Sequence, residues 1–328
     1  MNPNALPIGL AGGIAAALLF SAVLGGGALG LPLFALCPLP LAIAGLGWGT
    51  TAAVVAALVG AAGSAAVAGY AIDPASAPYA GLLFALLAGP TAWFAHLAGL
   101  ARPVDPARPD AGLEWYPLGR VFLALTVGTI LALIVAGAVV GIDVDAVAEA
   151  MADRILEMAA NTGETGMPSK ADMVDVARFY VRLMPATVTM VWLSLIAFDL
   201  WLAGRIVRIS GRLRRPWTPV SEAVDLPKAP IAVFVVALFA VPVEGPVGLV
   251  AGAVAGGLAM AYALIGFAVV HVKLRAHPAR QIILATLYGG TFLFSLPLIP
   301  IAIVGMADTV FGFRAKRLAA GAPPAGRT

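Results

Sequence analysis

Charge is scarce in this 328-residue chain: Asp, Glu, Lys and Arg make up 11% of it, against about 25% in a soluble domain. A soluble fold of this composition could not cover its surface with polar groups, which excludes soluble enzymes and nucleic-acid-binding domains. Cysteine is nearly absent. The single thiol, Cys37, excludes a disulfide framework and a thiolate cluster, and with only three scattered histidines no metal site or cofactor is expected. No glycine-rich segment carries the lysine of a Walker A loop, so the chain brings no ATP-hydrolysing machinery of its own. No Lys or Arg precedes the first apolar run, so no cleaved signal peptide is expected.

What is abundant is apolar. Hydrophobic residues make up 61% of the chain and the mean hydropathy is +0.97, which predicts an all-α polytopic transmembrane bundle of about 8–10 spans. Apolar runs lie near 6–24, 29–47, 50–71, 79–101, 117–141, 183–204, 229–242, 247–270 and 281–307. The run at 229–242 is short for a hydrocarbon core of roughly 30 Å. Pro38 and Pro40 interrupt the second run, and Pro297 and Pro300 the last, so kinked or broken helices are expected there. The pattern divides into N-terminal transmembrane helices (1–141), an extracytoplasmic amphipathic helical segment (142–182), C-terminal transmembrane helices (183–313) and a flexible basic tail (314–328).

Orientation follows from the excess of Lys and Arg in cytoplasmic loops. The loops 205–228 and 271–280 are basic and the segment 143–182 is acidic, which predicts a multi-pass membrane protein with a cytoplasmic N-terminus. A single span at 281–307 would put the basic tail outside, so a hairpin of two short helices turning at 295–300 is the favoured expectation, with a single span and an outside tail as the alternative. In the acidic segment Val144, Val147, Met151, Ile155 and Met158 recur at helical steps, followed by a second amphipathic helix from about Ala171 to Met184, with the break at 161–166. The pair reads as an external helical hairpin lying on the bundle or the lipid surface.

Ionisable groups within spans are costly, and each is therefore a functional candidate. Asp199 is the clearest. It cannot pair with Arg205 on its own helix, because six residues amount to about 600°, which places the two on different faces. His96 and His271, near span ends, read as packing and anchoring residues. Glu114, Trp115, Tyr116 and Pro117, followed by Arg120, open the fifth span as an interface anchor or a polar gate. Gly248, Gly252 and Gly256, four apart, give one helix a face for close packing. The basic loop from Arg205 to Arg215, with Trp217, suits anionic lipid headgroups or a cytoplasmic partner.

Several stretches together resemble the YybS-like family of uncharacterised bacterial membrane proteins. They are Cys37-Pro38-Leu39-Pro40-Leu41, Glu114 to Arg120, Leu200 to Arg205, Ser210-Gly211-Arg212, Gly266 to His271, and Met306 to Thr309 with Phe313-Arg314. Cys37 departs from the family's pattern, standing where a small or aliphatic residue is expected. The resemblance implies a distant similarity to the substrate-binding membrane subunits of energy-coupling-factor transporters and to MreD-like envelope proteins. The polar residues inside or next to the matched stretches, Glu114, Arg120, Asp199, Arg205 and Asp308, are then the candidates for a substrate site or gate. Two readings follow: a small-solute transporter component, or a scaffold for envelope assembly or cell division that binds other membrane proteins through the glycine face and the basic loops. No nucleophile and base can be paired for an intramembrane enzyme, so catalysis is not expected.

Overall fold

The computed structural model describes residues 3–162 and 168–320. Each apolar run became helix, and a proline stands at the start of several of the helical segments. The first run is α1 (Ala5–Ser21). The second is broken into α2 (Gly30–Ala35) and α3 (Pro38–Trp48), with Pro38 in the first turn of α3, where its missing N–H is no loss. A single residue, Gly49 at φ +92°, separates α3 from α4 (Thr50–Ala71). The fourth run is also broken, into α5 (Ala77–Leu87) and α6 (Pro90–Ala98).

Between α6 and the next span lies an unexpected element, an antiparallel hairpin of β1 (Ala101–Asp105) and β2 (Arg108–Trp115). It pairs Ala101 with Trp115 and Arg102 with Glu114, with an irregularity between Pro103 and Asp105. Then come α7 (Leu118–Val140), α8 (Val144–Thr162) and α9 (Lys170–Ile209). The second amphipathic helix of the acidic segment is the beginning of α9 itself, whose 40 residues extend about 60 Å. Ala148 and Ala152 of α8 and Ala177 and Val181 of α9 are buried, and Lys170–Asp153 and Arg178–Asp145 ion pairs tie the two helices together. Most of the predicted break at 161–166 lies outside the described residues.

A short turn of helix, α10 (Val220–Ala223), interrupts the basic loop after α9, and α11 (Ala229–Ala240) and α12 (Pro246–Lys273) follow. The last run forms α13 (Arg280–Phe294) and α14 (Leu298–Phe311), and the chain continues as α15 (Phe313–Ala320). The basic tail expected from 314 thus begins as helix.

Seven segments are long and apolar enough to cross a membrane, or up to eight if the bent pair α14–α15 is one span. Nine runs were expected to span. The difference lies in α11, with 12 residues, and in the last run, which is divided at Ser295 between helices of 15 and 14 residues; each is shorter than the roughly 20 residues a full crossing needs. The chain is an all-α polytopic membrane protein whose outward apolar side chains contact lipid, among them Leu58, Leu131 and Phe239.

The long helix α12 is the centre of the bundle and is buried along most of its length. It lies against α9, where a Cβ on Gly256 would come within 2.1 Å of the Ala186 carbonyl, and against α14, where a Cβ on Gly305 would meet the Tyr262 carbonyl and one on Gly266 that of Ile301. Close backbone approach of this kind is how membrane helices associate without a hydrophobic driving force between them.

The loops sort by charge onto two faces. Arg212 lies over Trp48, Arg215 reaches Ala98 and Tyr116, and Arg275 pairs with Glu222. Lys273 lies over Phe313, and Arg317 donates to the Lys273 carbonyl. The ends of α3, α6, α9, α12 and α14 and the start of α7 therefore share one face, the basic one. The acidic pair α8 and early α9 lies at the other.

Candidate functional site

The polar candidates separate into one deep group and one cluster at the basic face. The deep group is Asp199, about 9 Å along α9 from Arg205 and 1% exposed. It belongs to the stripe Trp192, Leu193, Ile196, Asp199, Ala203 and Val207 that α9 turns inward. Both of its carboxylate oxygens are buried and have no hydrogen-bond partner among the described residues. Cys37, fully buried, is the residue that precedes α3 at the break between α2 and α3. Arg205 turns away to lie 5.7 Å from the ring of Trp217, which also carries Arg208 at 5.2 Å.

Four other buried polar atoms lack a partner among the described residues: the hydroxyls of Ser64, Thr91, Thr129 and Tyr262. Sequence reasoning passed over them because single hydroxyls inside apolar runs most often bond the carbonyl one turn back, as Thr126 does to Phe122.

At the basic face the sequence neighbours part company. Glu114 pairs with Arg102 across the β hairpin at 2.7 Å, on the exposed surface, and that guanidinium holds its carboxyl below the usual carboxylate range. Trp115 lies under Arg215, 6.0 Å from its guanidinium. The carbonyl of Tyr116 accepts from Arg215 Nη1 at 2.8 Å, as does that of Ala98 at 3.3 Å. The Arg120 side chain has no ion pair or hydrogen bond among the described residues and lines a cleft of about 610 Å³ between α7 and the chain from 215 to 227. A smaller cleft of about 220 Å³ holds His96, whose Nδ1 is 2.6 Å from Thr50 Oγ1, and shares Arg215 with the larger one.

Asp308 is 4% exposed and bound at both oxygens by Arg314: the backbone N–H donates to Oδ1 at 2.8 Å and Nε to Oδ2 at 2.5 Å. Arg314 Nη1 donates to the carbonyls of Ser221 and Val224 at 3.1 and 2.7 Å. Arg314 thus clamps Asp308 and the loop beside the larger cleft together. The sequence placed Arg215 only in the basic loop and Arg314 only in a matched stretch; the carbonyls they bind, those of Ala98, Tyr116, Ser221 and Val224, lie 90 residues or more away along the chain, a relation no local pattern encodes.

The glycine face is occupied internally. Gly252 and Gly256 pack on Ala186 of α9, while a Cβ on Gly248 would strike the Val243 carbonyl of the preceding turn. Among the described residues no three His, Cys, Asp or Glu side chains come together to hold a metal ion.

An ionised carboxylate buried without donor or counter-charge costs several kcal/mol. Asp199 therefore has the chemistry to take a proton, a cation, or a ligand that donates hydrogen bonds.

Residues 13–309 match the model of a family described as predicted membrane protein (DUF2232). The chain belongs to the DUF2232 family of predicted membrane proteins. No curated protein and no solved structure matches it.

Proposed function

We propose that this protein is a membrane component of a small-solute transporter, in which Asp199 binds the solute or a cation that accompanies it. The observation that carries this reading is the pair of Asp199 oxygens, buried in a spanning helix with no protein partner among the described residues. A carboxylate kept for structure alone would be bonded, as Asp308 is. The break between α2 and α3 supports the same reading, because irregular backbone at membrane depth is tolerated where it lines a cavity, and transporter sites are typically built on discontinuous helices.

In this reading the basic face is cytoplasmic in a bacterial inner membrane, by the Lys and Arg excess, and energy comes from a partner. The YybS-like resemblance, with its relation to energy-coupling-factor substrate-binding subunits, fits such a role. The chain itself performs no catalysis. The scaffold reading loses its main surface, since Gly252 and Gly256 are already covered by α9.

Native mass spectrometry of the full chain in mild detergent tests the proposal. The expected result is a reproducible non-lipid adduct on the native protein that Asp199→Asn binds about thirtyfold more weakly or worse, as the loss of a buried charge partner of 2 kcal/mol or more requires. Equal retention by Asp199→Asn would overturn the assignment of the site, and stoichiometric protein partners with no small molecule would favour the scaffold.

A further inference from the structure

The larger cleft at the basic face has a feature independent of Asp199: it separates opposite charges without letting them meet. Leu118, Gly119, Arg120 and Leu123 of α7 form one wall, and Thr218 with the chain from Glu222 to Pro227 forms the other. The Arg120 guanidinium has no partner among the described residues. Arg215 also lines the cleft and spends Nη1 on two carbonyls, leaving Nε and Nη2 to donate. Opposite them, Asp225 keeps its side chain 66% exposed and touches Arg314 only at 3.8 Å. Glu222 is already engaged by Arg275. Arg120, Arg215 and Asp225 therefore line a single cleft with no ion pair among the three.

The cleft's position narrows the ligand further. Its wall begins at Pro117, directly after Trp115 and Tyr116, aromatic residues of the kind that sit at the headgroup level. Leu118, Leu123 and Leu226 give it apolar walls, and α7 continues into the bilayer with Val127 and Leu131 exposed. Its volume, about 610 Å³, is in the range of small-molecule sites.

We propose that this cleft binds the phosphoethanolamine headgroup of a membrane phospholipid. The phosphate accepts from Arg120 and from the free donors of Arg215, as planar guanidinium groups favour, while the ammonium pairs with Asp225. A purely anionic headgroup would leave Asp225 as a repulsive neighbour, and a choline headgroup has no N–H to give it. The site thus selects by charge pattern rather than by net charge.

The test uses the full-length protein in mild detergent with phosphatidylethanolamine, phosphatidylcholine and phosphatidylglycerol at equal concentration, read by native mass spectrometry. Phosphatidylethanolamine is expected to be retained about tenfold over either competitor. Arg120→Ala should abolish that retention at an unchanged melting temperature, since Arg120 holds nothing else in place. Asp225→Asn should remove the preference over phosphatidylglycerol while lipid still binds. Equal retention of the three lipids, or full retention by Arg120→Ala, would overturn the proposal. Soluble phosphoethanolamine competing at the lipid's own affinity would overturn the assignment to a lipid. The solute adduct assigned to Asp199 should survive Arg120→Ala, so the two sites succeed or fail separately.

Discussion

Arg314 folds back across the break at Gly312 to hold Asp308, six residues earlier, by both its backbone N–H and its guanidinium. Gly312 makes the reversal possible: at φ +66° it ends α14 and donates its N–H to the Asp308 carbonyl. The same guanidinium closes on Ser221 and Val224, so the last helix and the loop beside the cleft are one unit.

Arg314→Met should therefore leave a buried carboxylate without its cation and the Val224 carbonyl without its donor. Breaking one partner of a buried pair costs about 3–5 kcal/mol, and the thermal midpoint in detergent should fall accordingly. Asp308→Asn should lose less, because the amide oxygen can still accept from the Arg314 N–H. A midpoint unchanged in Arg314→Met would show that the clamp contributes nothing to stability.

The glycines of α12 make a sharper contrast. Gly252→Ala places its Cβ 3.7 Å from the nearest atom, the Ala186 nitrogen, whereas Gly256→Ala drives a Cβ to 2.1 Å from the Ala186 carbonyl. The first substitution should be neutral or stabilising by up to about 1 kcal/mol, the helix-propensity difference. The second should destabilise by about 1–3 kcal/mol, because two packed backbones must separate. Thermal unfolding of the two variants side by side checks this, and equal midpoints would mean that α9 and α12 are not in contact at Ala186.

Proline shows what could be read from the sequence and what could not. Pro38 and Pro297 stand where breaks were expected, and both open new helices or turns. Pro90 does the same in a run that reads as continuous, whereas Pro185 sits inside α9 without ending it, where the neighbouring Ala186 is packed against Gly256. Tertiary contact decides between these outcomes, and residue type alone does not. The β hairpin was hidden because Pro103 and its charged neighbours carry no strand signal. Asp199 was legible because one carboxylate stands out in an apolar run. The partners of Arg215 and Arg314 were not, because they are brought together only by the fold.

Sidedness of the C-terminal region follows from the hairpin of α13 and α14. Lys273 at the end of α12 lies 5.8 Å from the ring of Phe313 at the start of α15, and Arg317 donates to the Lys273 carbonyl at 3.3 Å, so the two ends occupy the same face. The single cysteine makes this directly measurable. Cys37 is fully buried, and Cys37→Ala gives a background into which Ala276→Cys, Lys316→Cys and Glu157→Cys can be placed one at a time, each at an exposed position. With a membrane-impermeant thiol reagent on intact and on opened vesicles, positions 276 and 316 should label together and 157 in the opposite condition. Labelling of 316 together with 157 would require the last run to cross once as a single span, and α14 could not then lie with its C-terminal end beside that of α12.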